Sequence, residues 1–94
     1  MEFNVGEIKE QTKVVTSIDF KPKKGIKVLH PSCSCMDVRY DKVAGKLYLS
    51  YSAGLLSNQT LTTQGYQEIY KFVEVIYNDG TVDKINVRGR VVKK

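Results

Sequence analysis

The sequence predicts an all-β fold, a sandwich of about seven antiparallel strands, and three observations point to it. Apolar and polar side chains alternate with period two over most of the chain, helical spacing is nearly absent, and turn residues recur roughly every 8–14 residues. Period two sends successive side chains to opposite faces of a sheet, so the pattern describes strands with one buried face.

Lys13 to Phe20 sets the pattern: Val14, Thr16, Ile18 and Phe20 fall on one face, and Val15, Ser17 and Asp19 on the other. Lys21-Pro22-Lys23-Lys24-Gly25 then turns the chain, because proline fixes φ and glycine tolerates positive φ. The next strand runs from Gly25 or Ile26 to His30. Pro31 lacks the amide hydrogen that a central ladder needs, so it ends that strand or sets it at a sheet edge. Cys33 to Tyr40 reads as a short strand or a crossover. After a turn at Gly45, Lys46 to Ser52 alternates again, with Leu47, Leu49 and Tyr51 inward.

Gly54 to Gly65 is polar and threonine-rich and reads as a long loop; loops of about 12 residues without structure of their own are uncommon in compact domains and often functional. Tyr66 to Tyr77 is the longest β-prone run. Asp79-Gly80 behind it predicts a hairpin closed by a type I′ turn, which needs positive φ at both central residues. The last strand runs from Thr81 to Val91 or Val92, with Ile85, Val87, Gly89 and Val91 on one face. Strands of this number and spacing fit an immunoglobulin-like sandwich better than a small barrel. The marks of antibody domains are missing, since there is no Trp and the two cysteines lie two residues apart.

Ninety-four residues make one domain, 1–94, because a chain of this length buries only about 60–70% of its unfolded surface and supports one core. Charged residues interrupt every hydrophobic stretch, so no segment reaches the roughly 18–20 apolar residues of a membrane span. Met1-Glu2-Phe3-Asn4-Val5 lacks the basic and apolar regions of a secretory signal, so a cytoplasmic or virion location is expected. The net charge of +5 is spread over two loose clusters, Lys21, Lys23, Lys24 and Lys27, and Arg88, Arg90, Lys93 and Lys94. Alternation puts Arg88 and Arg90 on one face, yet acidic residues intervene throughout, and the excess reads as a solubilising surface rather than a nucleic-acid interface.

His30-Pro31-Ser32-Cys33-Ser34-Cys35-Met36 gathers the soft metal ligands near one turn, and three readings are open. As a metal site, Cys33 and Cys35 at i and i+2 share a face, and His30 and Met36 complete a set for copper(I) or zinc; a second, distant ligand pair is absent. As a redox pair, the spacing is C-x-C and no βαβ pattern surrounds it. A bridge between same-face residues of an extended strand sits near the upper distance limit of about 6.8 Å, so free thiols are expected. As a packing feature, both cysteines act as small hydrophobes where the chain crosses between sheets. No cofactor is expected.

Phe3-Asn4-Val5-Gly6-Glu7-Ile8, then an alternating strand, Ser32-Cys33-Ser34-Cys35, Gly45 before Leu47-Tyr48-Leu49-Ser50-Tyr51, and a closing Val87-Arg88-Gly89-Arg90-Val91 together resemble an uncharacterised bacterial family of Ig-like domains. That family carries a Cys-Gly-Cys signature and a closing Gly-x-Val, and is related to major sperm protein and Hydin-type domains. Ser34 stands where the family has glycine. Small domains of this kind also decorate phage capsids and tails, so the resemblance implies a structural protein attached to such an assembly.

Catalysis is not expected: the chain has a single histidine and no nucleophile elbow, phosphate loop or H-E-x-x-H. Asp37 and Asp41 near Tyr40 read as solvated acids. Leu55, Leu56 and Leu61 sit among polar residues of the long loop, either exposed as a protein contact or folded back as a lid over one end of the sandwich. Asn58-Gln59-Thr60 has the form of a glycosylation acceptor and marks an exposed loop. Open sheet edges offer a further route to a partner, by strand addition.

Overall fold

Burial that alternates along the chain carries the sequence into two sheets. The computed structural model describes residues 1–56 and 65–93. Its strands are β1 (Glu2–Lys9), β2 (Lys13–Asp19), β3 (Ile26–Pro31), β4 (Met36–Asp41), β5 (Lys46–Ser52), β6 (Tyr66–Tyr77) and β7 (Val82–Val92). One sheet has the order β1-β7-β6-β3 and the other β2-β5-β4. Among the described residues no helix is long and apolar enough to cross a membrane.

β2, β3 and β5 to β7 lie close to the predicted runs, the Cys33–Tyr40 segment divides into a turn and β4, and Pro31 closes β3 at the edge of its sheet. β1 departs from the expectation in two ways. It is a strand that alternation does not reveal, and it pairs with β7 in parallel, so the strands are not all antiparallel. The cause is local. Gly6 adopts φ +69° and the β1–β7 register shifts between Asn4 and Gly6, so the buried positions run Phe3, Val5, Ile8 instead of every second residue. Asn4 Oδ1 accepts a hydrogen bond from Gly6 N at 2.9 Å and fixes the bulge. Gly89 on β7 lies directly against it: a Cβ there would stand 2.6 Å from Gly6 O and 2.6 Å from Val5 Cγ2.

The β6–β7 hairpin forms as predicted, with a different turn. Gly80 N donates to Tyr77 O at 3.0 Å, Tyr77 N donates to Thr81 O at 2.9 Å, and only Gly80 of the turn has positive φ. That is a three-residue loop, a turn over Asn78 and Asp79 followed by a left-handed glycine, and not the two-residue type I′ turn. Asp79 stays out of the left-handed region because its carboxylate binds forward, accepting from Thr81 N at 3.0 Å and Thr81 Oγ1 at 2.6 Å.

The inward residues of both sheets merge into one apolar cluster, with Phe3, Leu47, Leu49, Ile69, Val73, Val75, Ile85 and Val87 fully buried. Burying each such side chain contributes roughly 1.5–3 kcal/mol. Phe20 packs edge-on against Tyr40 at 6.0 Å between centroids, which joins the β2 end to β4. Among the described residues no buried side-chain nitrogen or oxygen lacks a partner.

Candidate functional site

Two ends and two outer faces remain for function once the core is filled. One end gathers the β1–β2 turn, the cysteine turn and the segment after β5. Backbone bonds lace them together: Ser52 N donates to Cys35 O at 2.8 Å, Ala53 N to Thr12 O at 2.8 Å, and Gln11 N to Gly54 O at 3.4 Å. Buried Glu10 reaches the same segment, its Oε2 accepting from Leu56 N at 3.0 Å. A buried carboxylate needs such donors to offset its lost hydration. Gln11 sits at φ +59°, unusual for a residue with a side chain, at the tip of the same end.

This lacing divides the loop leucines. Leu56 is half-buried and packs on the core, while Leu55 is 71% exposed. Leu56 is folded back and Leu55 is left in solvent. Leu61 and Asn58-Gln59-Thr60 lie outside the described residues.

The cysteine turn corrects one expectation. Cys33 and Cys35 are joined in a disulfide and are not free thiols. The expected obstacle was the span of an extended strand. The chain instead turns here, Met36 N donating to Cys33 O at 3.2 Å, which draws the two Cα atoms to 5.2 Å. Both cysteines are half-buried against the core, as the packing reading expects. The metal set is not brought together. Met36 points into the core, 5% exposed, and His30 lies on the outer face of its sheet, its Nδ1 3.6 Å from Glu74 Oε1. Among the described residues no group of three or more His, Cys, Asp or Glu could hold a metal ion.

Arg88 and Arg90 share the outer face of the four-stranded sheet, as alternation requires. Each lies over a ring: Arg90 4.3 Å from the Tyr66 centroid, Arg88 5.2 Å from Tyr70, and, farther along, Lys84 4.1 Å from Phe72. Arg90 also pairs with Glu68 at 3.2 Å. Arg88 donates instead to the Lys71 and Val87 carbonyls, at 3.2 and 3.1 Å.

At the opposite end, Pro22, Lys23, Lys24, Gly25, Ile26, Tyr40 and Lys42 line a cavity of about 440 Å³. Lys24 is already paired with Asp79 at 3.2 Å. Lys23, Lys24 and Lys42 make the lining cationic, so the cleft can attract an acidic surface.

The titrations that depart from ordinary values have structural causes. Burial raises Tyr51. Burial, then the hydrogen bond from Tyr77 to Asp83 Oδ2 at 2.7 Å, pushes Tyr77 up to about 12. The Thr81 donors and Lys24 hold Asp79 down at about 2. Tyr77 and Asp79 both lie beside Lys24, 5.6 Å from the Tyr77 centroid and 3.2 Å from Asp79 Oδ2, whereas Tyr51 belongs to the other sheet.

Sequence reasoning singled out Leu55 and Leu56 from their polar surroundings and missed the bond from Leu56 N to Glu10, because Glu10 reads as an ordinary surface acid until the β1–β2 turn folds it inward. Comparison with protein-family models, curated proteins and solved structures found no match to this chain.

Proposed function

We propose that the chain is a non-enzymatic, Ig-like binding module that docks on a larger protein assembly, with a phage capsid or tail as the kind of assembly expected. The strand order supports the Ig-like part: β2-β5-β4 opposite β7-β6-β3 follows the B-E-D and G-F-C sheets of that sandwich, with the first strand moved beside the last. The disulfide fits a virion better than the cytosol, since such bonds persist at virion surfaces and are rare in reducing compartments.

The observation that carries the docking role is Leu55, a large apolar side chain 71% exposed on a segment pinned on both sides, by Gly54 O and Leu56 N. A fixed, exposed leucine flanked by half-buried Leu56 presents apolar surface without the entropy loss of ordering a free loop. The test is co-sedimentation of the chain with particles purified from the cells that produce it. Leu55→Asp lowers recovery in the particle fraction by roughly tenfold, about 1.4 kcal/mol, with an unchanged thermal transition. Equal recovery of both proteins contradicts the docking role.

A further inference from the structure

We infer that a second copy of this chain adds to the free edge of β2, antiparallel, so that the three-stranded sheets of two copies become one continuous sheet across a two-fold axis. The inference is independent of the Leu55 contact.

Four strands end their sheets, β1, β3, β2 and β4, and three of them carry the features that block edge pairing. β1 is bulged at Gly6 and carries Glu2, Glu7 and Lys9. β3 is short, shifts register between Ile26 and Val28, and ends in Pro31. β4 is equally short and places Asp37, Arg39 and Asp41 along one face. β2 has none of these: between Lys13 and Asp19 it reads Val14-Val15-Thr16-Ser17-Ile18, without charge, proline, glycine or register shift. Its β-branched residues are those that favour strands, and Val15 is 64% exposed.

The direction of its free hydrogen-bonding groups follows from its partner. Thr12 O accepts from Ala53 N and Phe20 N donates to Gly45 O, each at 2.8 Å, in the same register that pairs Val14, Thr16 and Ile18 with Tyr51, Leu49 and Leu47. In an antiparallel ladder, bonded pairs alternate, so the even-numbered residues direct their N–H and C=O groups to β5. Lys13, Val15, Ser17 and Asp19 therefore direct theirs outward, where no described residue meets them.

A second β2 satisfies these groups in one register. With the axis at Thr16, Lys13 opposes Asp19 of the second copy and Val15 opposes Ser17, so outward-bonding residues face each other and exchange about eight hydrogen bonds. Solvent-facing side chains meet solvent-facing ones, and half-buried Val14 meets half-buried Ile18. The charges also match, since the two ends of the strand carry opposite signs and each Lys13 meets an Asp19. Asp19 is 82% exposed, and only its Oδ1 is engaged, by Lys46 at 3.1 Å. A self-complementary strand of this kind is what an isologous interface requires.

Sedimentation velocity over about 1 µM to 1 mM tests it, and the expected result is a monomer–dimer equilibrium in that range. Ser17→Pro removes an outward amide and leaves the β2–β5 ladder intact, so the thermal transition stays and the dimer disappears. Asp19→Lys sets lysine against lysine and weakens the dimer by roughly tenfold, and adding Lys13→Asp restores it. The charge pair decides the matter if the proline variant does not fold. A monomer at every concentration, or a dimer indifferent to the charge reversal, overturns the inference.

Discussion

The lack of a side chain at one position sets how closely β1 and β7 can approach. Gly89 lets β7 pass against the Gly6 bulge, and a methyl group there would stand 2.6 Å from a backbone oxygen that cannot swing aside. Gly89→Ala is expected to cost about 1–3 kcal/mol by forcing β1 away from β7. Chemical denaturation measures it, and an unchanged midpoint contradicts the close approach. The sequence placed Gly89 on the inward face of its strand, yet the reason for glycine was invisible, because it depends on a bulge more than eighty residues earlier in the chain. Leu55 and Leu56 show the same limit. Polarity of their neighbours marked both, and only the bond from Leu56 N to Glu10 separates the tethered residue from the exposed one.

The β6–β7 hairpin is an element whose stability should depend on acid. The hydrogen bonds from the Thr81 hydroxyl and amide, with Lys24 beside them, hold Asp79 at about 2, below its ordinary 3.8. A carboxyl whose pKa falls on folding adds stability that is complete above its unfolded value and is lost as pH drops toward the folded one. Thermal stability is therefore expected to fall between about pH 4 and pH 2, and Asp79→Asn to remove that part of the slope; parallel slopes contradict the turn geometry. The cysteine turn is an element with the opposite character. Its disulfide closes a loop at a sequence separation of two, so it removes little unfolded-state freedom. Reduction is expected to cost less than about 2 kcal/mol and to leave the circular dichroism spectrum that of a β protein. Loss of the fold on reduction contradicts this. Alternation revealed β2, β5, β6 and β7 because each buries every second side chain, and the Gly25 turn and Pro31 bracketed β3 despite its register shift, whereas β1 was hidden by the bulge and the cysteine turn by its departure from extended backbone.

The whole molecule is a two-sheet frame around one apolar core, and its proposed role lies in what its ends and edges present. Composition and period two made the all-β class and the shared core legible, since both depend on local burial. Strand order, the parallel β1–β7 pairing and the lacing of one end depend on contacts distant in sequence, and no local pattern encodes them. The proposed docking end is open to direct measurement. A photo-reactive amino acid is placed at Leu55 or at Val43, two exposed apolar positions, with Val43 fully exposed in the β4–β5 turn at the other end. After illumination in the cells that produce the chain, adducts are identified by mass spectrometry. The account predicts one dominant adduct with a component of a large assembly from position 55 and none from position 43. No adduct at 55, or the same adducts at both positions, would contradict it.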